Sequence, residues 1–242
     1  MTIDQFIFEC EEASNEQTLF NLLHNEVKSL GFDYCVFSLL TNHPDLNLPT
    51  SRGLFVSSMS SWVQELIRGQ FDDVDPFRSH CFYGHGVLTL SALKTSDQFS
   101  AAQIKFIQST ESRGFHDRVT VALKGAAGAV ASVDLGRELK GRPPTRQTLH
   151  KLNALCQHFY LAYCQLKSSA KAFAYMTLTG KEREVLEWSA KGFTKAEIGV
   201  QLHISSHTVD YHSRKLARKL GARNITAAAV NALNRGLIHV TY

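Results

Sequence analysis

Two short motifs in the last quarter of the chain restrict its folding more than any other feature. Thr179-Gly-Lys-Glu182 and Thr194-Lys-Ala-Glu197 each set a threonine three residues before a glutamate, and they stand fifteen residues apart. At that spacing the hydroxyl caps the start of a helix and the glutamate reaches back to the backbone N–H of the cap. Each motif therefore fixes where a helix begins. The first helix carries Val185, Leu186 and Ala190 and stops at Gly192. The second is short, with Ile198 and Leu202 inward, and His203-Ile204-Ser205 makes a tight connection. A third helix turns Val209, Leu216 and Leu220 inward and closes at Gly221. Thr226 is expected to cap an alanine-rich fourth helix that ends before Gly236. A short helix, a turn and a longer basic helix make a helix-turn-helix.

Charge separates this segment from the rest. From Thr177 onward there are ten Lys/Arg and five Asp/Glu, a net of +5, while the other 176 residues carry sixteen against seventeen, a net of −1. A basic module joined to a neutral one suits a nucleic-acid reader with a separate sensing or assembly domain. The third helix presents His207, Asp210, Tyr211, Arg214, Lys215 and Arg218 outward, side chains suited to phosphates and base edges in a major groove. Lys195, Ser206 and Thr208 complete the expected DNA-binding set, with Lys195 and Thr208 assigned to phosphates.

The first 166 residues alternate differently. The stretch from Gln5 to Leu30 predicts two helices broken near Ser14-Asn15. Tyr34–Leu40 and Gly53–Met59 predict strands, Ser60–Arg68 a short helix, and Asp97–Arg113 a longer one stopped by Gly114. Val119–Leu123 and Ala129–Leu135 flank Gly125-Ala-Ala-Gly128, the strongest hairpin signal in the chain. After Pro144 a long helix repeats Leu149, Leu152, Leu155, Cys156, Phe159, Tyr160, Tyr163 and Leu166 at helical spacing. Helices before and after a short antiparallel sheet predict an α/β/α sandwich over residues 1–166. Residues 167–176, with Lys167-Ser-Ser-Ala-Lys171, read as a linker, and 177–242 as the all-α module. The fold class is α+β.

Several chemistries find no support. The five cysteines (Cys10, Cys35, Cys81, Cys156 and Cys164) are scattered without a C-x-x-C, which excludes a disulfide framework and suits a reducing cytoplasm. His80-Cys81 and His85 match no usual metal spacing. Gly180-Lys181 lacks the upstream glycine of a phosphate loop, and there is no nucleophile elbow. The carboxylates Asp72, Asp73 and Asp75 read as a solvated loop plus one helix cap. No catalytic residue, metal or cofactor is expected. Residues 1–16 are acidic with no basic stretch before an apolar run, so no signal peptide is expected, and no stretch reaches the length of a membrane span.

The C-terminal order Leu178–Leu186, Gly192–Ile198, Ile204–His212, Lys219-Leu-Gly221 and Gly236-Leu-Ile238 resembles the LuxR-type DNA-binding domain over about 60 residues. Glu182, Leu186 and Gly192 stand where that family characteristically has Glu, Leu and Gly. Lys215 departs from a common Asn, and Ala227-Ala-Ala229 from a segment that often holds a glutamine. The order of elements before it resembles, more weakly, the autoinducer-binding domain of quorum-sensing LuxR-type regulators. Its local support is Trp62 followed thirteen residues later by Asp75-Pro76. The resemblance implies that the indole donates to the lactone carbonyl of an acyl-homoserine lactone and that the carboxylate accepts from its amide. The residues alone allow plainer roles: Trp62 as core, and Asp75-Pro76 as an N-cap followed by proline at N1.

Departures from the family cluster in the pocket it implies. Leu66 and Ser58 stand where tyrosines are common, Leu90 where a second tryptophan is usual, and Arg118 where glycine is usual. Asp134 stands where a serine or threonine faces the pocket, and Ser132 is the equivalent if the turn differs in length. Leucine donates no hydrogen bond. An inward Asp134 requires a donor-rich or cationic partner, which Arg118 is placed to supply. The expected ligand residues are thus Trp62, Leu66, Asp75, Leu90, Ser132 and Asp134. The resemblance implies a ligand-responsive transcriptional regulator with an altered pocket, a homodimer on an inverted-repeat operator, with RNA polymerase as a further partner. The alternative is a ligand-independent regulator whose N-terminal domain serves dimerisation or protein interaction.

Overall fold

The computed structural model describes residues 1–43, 45–58, 60–69, 71–95, 99–113, 115–168 and 177–240. Among them the chain forms two compact units, the first holding residues 1–125 and 129–168 and the second 177–240.

The first unit is built on a five-stranded antiparallel sheet, in the order β2-β1-β5-β4-β3. The strands are β1 (Tyr34–Leu39), β2 (Ser51–Val56), β3 (Gly86–Thr89), β4 (His116–Lys124) and β5 (Val130–Arg137). Side chains alternate across a strand, and the sheet uses both faces. One face turns Phe37, Val121, Leu123, Val133 and Leu135 into a core with α1 (Ile3–Glu11), α2 (Glu16–Ser29) and α7 (Arg146–Lys167). On α7 the residues Leu152, Leu155, Cys156, Phe159 and Tyr163 recur every three or four positions and are buried. Phe159 and Tyr163 each meet Phe37 edge-on, with ring centroids 5.0 Å apart.

The other face carries Val36, Ser38, Thr120, Ser132 and Asp134. Register puts Val36 opposite Asp134, Ser38 opposite Ser132, and Thr120 opposite Asp134. Four short helices cover this side: α3 (Ser61–Ile67), α4 (Pro76–Tyr83), α5 (Leu90–Lys94) and α6 (Ala101–Ser112). Their apolar cluster holds Trp62, Phe77, Leu90, Phe106 and Phe115. The result is the expected α/β/α sandwich, with polar groups concentrated on one face of its sheet.

Several local expectations change. The β3 strand and α5 were not apparent, because Gly86–Thr89 is four residues long and shows no polar alternation. The second strand is Ser51–Val56, and Met59 lies outside the described residues, as do Asp97 and Gly114 at the expected ends of α6. The α6 helix starts from a capping box of Ser100 and Gln103. Nearly all of the expected linker also lies outside the described residues.

The second unit is α8 (Gly180–Ala190), α9 (Lys195–Leu202), α10 (Ser206–Lys219) and α11 (Ile225–Asn234). Both capping boxes form, with reciprocal bonds at Thr179–Glu182 and Thr194–Glu197. The core is Val185, Leu186, Ile198, Val209, Leu216 and Leu220 with Ala228, Ala229, Ala232 and Ile238. The cap of α11 is Asn224, not Thr226: its side chain accepts from the Ala227 N–H at 2.8 Å. The turn between α9 and α10 passes through His203 at φ +54°. At Gly199 a Cβ would stand 2.7 Å from the Ile204 carbonyl oxygen, so only glycine lets the α9–α10 corner close.

Candidate ligand pocket and nucleic-acid interface

A cavity of about 60 Å³ lies between the polar sheet face and α3 and α4. Leu66, Asp75, Ser132 and Asp134 line it together, as does Arg118. Trp62 and Leu90 do not. Both are buried in the apolar cluster beside it. The Trp62 ring packs on Phe71 and Phe106 under the Arg113 guanidinium, and its Nε1 is buried without a hydrogen-bond partner among the described residues. Ser58 is exposed.

The centre of the cavity wall is ionic. Arg118 sits beside a β-bulge: His116 pairs with Arg137 and Val119 with Leu135, so β4 has one residue more than β5 there. Its guanidinium reaches Asp134 Oδ1 at 2.8 Å and Asp75 Oδ2 at 3.0 Å, and lies 4.2 Å over the Phe77 ring. Asp134 also accepts from the Thr120 hydroxyl at 2.6 Å and the Ser132 hydroxyl at 3.0 Å. Asp75 caps α4 through Oδ1, which accepts the Phe77 N–H at 2.9 Å. The plain reading of Asp75-Pro76, an N-cap followed by proline at N1, holds. Arg118 satisfies the inward Asp134, and it also pairs with the second oxygen of Asp75.

Burial pushes the Asp75 carboxyl up, against the pull of Arg118, and the neighbouring Asp134 adds to the rise. Burial opposes the Arg118 charge, but the two carboxylates outweigh it and raise the guanidinium further. Arg118 is only 4% exposed and its Nη1 has no partner among the described residues.

Three further charged residues on the lining were missed. Asp72 is not a solvated loop carboxylate: Arg52 grips it with both terminal nitrogens and Arg78 Nε lies 3.5 Å away. Arg52 is twenty positions from Asp72, and no local pattern marks such a pair.

In the second unit, Ser206 and His207 stand exposed on the first turn of α10, followed by Tyr211, Arg214 and Arg218. Arg214 has 79% of its side chain exposed. Asp210 binds Arg214 Nη2 at 2.7 Å and also pairs with Lys195 at the start of α9. The Lys195 ammonium holds the Asp210 carboxyl below its usual range. Asp210 therefore fixes two cations relative to each other rather than pointing freely outward. The Thr208 hydroxyl is engaged with Ser205 at 2.8 Å. Lys215 and Lys219 converge on Glu182 at 3.1 and 2.7 Å. The lysine in place of the common asparagine thus has a partner inside the module. Burial pushes Glu182 up, yet bonds from Lys219, the Thr179 N–H and Lys215 prevail and hold it at about 2.

Sequence comparison agrees with this geometry. The model for the autoinducer binding domain matches residues 15–163, more than half of the chain, and that for bacterial regulatory proteins of the luxR family matches 176–232. The chain belongs to the LuxR-type regulators. It carries the family's ligand-binding domain and its helix-turn-helix DNA-binding domain. LuxR-type relatives include the transcriptional activator SolR of Ralstonia nicotianae, 30% identical over 93% of this chain and 94% of its own. The regulatory protein SdiA of Escherichia coli is 26% identical over 94% and 93%. Crystalline SdiA superposes with a TM-score of 0.67 at 21% identity, covering 97% of both chains. SdiA in complex with octanoyl-rac-glycerol gives 0.68 at 21%, covering 99% of this chain and 96% of the other. These relatives are transcriptional regulators. Among the described residues, no helix is long and apolar enough to cross a membrane.

Proposed function

We propose that this LuxR-type regulator is a cytoplasmic homodimer without enzymatic activity. Residues 1–166 sense a small molecule, 167–176 connect, and 177–242 bind an inverted-repeat operator, where RNA polymerase is the further partner. Arg214 reads a base edge or phosphate, Lys195 and Thr208 meet phosphates, and Ser206, His207, Tyr211 and Arg218 line the groove. The exposed apolar side chains Leu161 on α7 and Val230 and Leu233 on α11 support these helices as pairing surfaces. Two-fold pairing matches two half-sites and multiplies the weak specificity of one small module.

The ligand differs from an ordinary acyl-homoserine lactone. The observation that carries this reading is the Arg118 bond to Asp75 at 3.0 Å: the acceptor for a lactone amide already has a donor. Leu66 offers the acyl carbonyl nothing. The loss of one neutral hydrogen bond costs about 0.5–1.5 kcal/mol, and competition with a guanidinium adds to it. Asp75, Ser132 and Asp134 supply polar contacts, Leu66 an apolar wall, and Leu90 packs behind. The SdiA complex with a glycerol ester supports a non-lactone amphiphile in this fold.

The test is calorimetric titration with lactones of graded chain length. The wild type is expected to bind them poorly and Leu66→Tyr to improve them; nanomolar binding by the wild type overturns the reading. A second reading, ligand-independent regulation, draws on the same bond, since Arg118 satisfies Asp75 and Asp134 without any ligand. Operator binding by ligand-free protein that no pocket ligand alters decides for it.

A further inference from the structure

Six charged side chains line the cavity among the described residues, in two groups of three. Deep in it, Asp75 and Asp134 share the single cation Arg118, and all three are largely buried. This group carries one negative charge too many. Nearer solvent, Arg52 and Arg78 share the single anion Asp72, with about a quarter of each side chain exposed. That group carries one positive charge too many. Beside both lies an apolar wall of Val63, Leu66 and Ile67.

We infer that the pocket takes a zwitterionic, amino-acid-like amphiphile, its ammonium toward Asp134 and Asp75, its carboxylate toward the arginines, and its hydrocarbon on the Leu66 wall. This rests on the reading that residues 1–166 sense a small molecule. A charge of either sign alone would be matched by one group and opposed by the other, and a neutral head would leave both surpluses in place. Buried charges that lack a full complement are costly. Burial raises the Asp75 carboxyl, and the neighbouring Asp134 adds to the rise. The unpartnered Arg118 Nη1 is buried in a side chain on the same cavity wall and requires an acceptor, which a carboxylate supplies. The inference thus rests on two opposite charge surpluses on one cavity and on an orphan donor within the deep group.

The experiment titrates the full-length protein with four probes: leucine, leucinamide, 4-methylpentanoate and N-octanoyl-homoserine lactone. They offer both charges, the cation alone, the anion alone and neither. Leucine is expected to give the largest rise in melting temperature and the tightest Kd. Arg78→Gln, at a half-buried position, is expected to weaken leucine at least tenfold and leave leucinamide unchanged. Asp134→Asn is expected to weaken both. Equal shifts from leucine and either singly charged analogue overturn the class, as does a larger shift from the lactone, and both outcomes leave the sensing role standing. No shift from any probe also overturns the class, and the operator-binding test then decides the sensing role.

Discussion

The buried cluster around Arg118 in the first unit and the cluster around Glu182 in the second are opposite in sign. In the ligand-binding unit two carboxylates, Asp75 and Asp134, enclose one arginine. In the DNA-binding unit one carboxylate, Glu182, is 1% exposed and gathers two lysines that reach it from solvent. The difference lies in where the surplus charge can go. Lys215 and Lys219 keep half and about a third of their side chains in water, so their surplus is screened. The surplus of the Asp75–Arg118–Asp134 cluster is enclosed and stays unscreened. One arrangement steadies a helix start; the other keeps a polar cavity in a state that a ligand can improve.

The largest effect is expected from removing Arg118. Arg118→Leu leaves two buried carboxylates without their cation, and loss of one partner from a buried pair costs about 3–5 kcal/mol. The ligand-binding unit should lose that much in urea denaturation, and adding Asp75→Asn and Asp134→Asn should recover most of it. A loss under 1 kcal/mol would show that water reaches the cluster and would dissolve the contrast. Glu182→Gln retains a capping side chain but releases both lysines. Because these are part-exposed, about 1 kcal/mol is expected, declining in molar salt.

Acid should separate the clusters by sign. The Glu182 carboxyl is depressed to about 2 in the folded state. Its stabilisation is complete above its unfolded value near 4.5 and is lost as the pH falls toward 2. The Asp75 carboxyl is raised, so its ionised form costs stability at neutral pH, and that cost fades as the pH falls through its folded value. Each unit holds one tryptophan, Trp62 and Trp188. Single-tryptophan variants read each unfolding transition in turn, and Glu182→Gln should flatten only the acid loss of the second unit. The smallest effect concerns α11. Asn224→Ala should cost about 1 kcal/mol, and Thr226→Ala a few tenths at most; the reverse order would return the cap to Thr226.

Legibility in the sequence followed the range of the interaction. The helices of the DNA-binding unit were readable because a capping box spans four residues and apolar spacing repeats within one turn or two. The same locality misled at α11, where Asn224 and Thr226 are both competent caps two positions apart and only the bond to the Ala227 N–H decides. The pairing of Arg118 with Asp134 was inferable, because an aspartate facing a core demands a cation and an arginine stood sixteen residues away. The capture of Asp75 by the same guanidinium was not, since it depends on how α4 lies over the sheet. Neither was the Arg52–Asp72 pair, which joins a strand to a loop. The β3 strand was hidden by its own brevity: four residues carry too little periodicity to distinguish strand from loop.

Gly199 has a consequence for inheritance. The space beside it is filled by the Ile204 carbonyl, 2.7 Å from where a methyl group would stand. Any other residue there must wedge the two helices of the DNA reader apart. Gly199→Ala alters no charge, no outward side chain of α10 and no cap. A selection for lost transcriptional control should therefore collect changes at position 199 alongside those at Arg214, the proposed DNA contact, and only the latter would be recognised by inspecting exposed charged side chains.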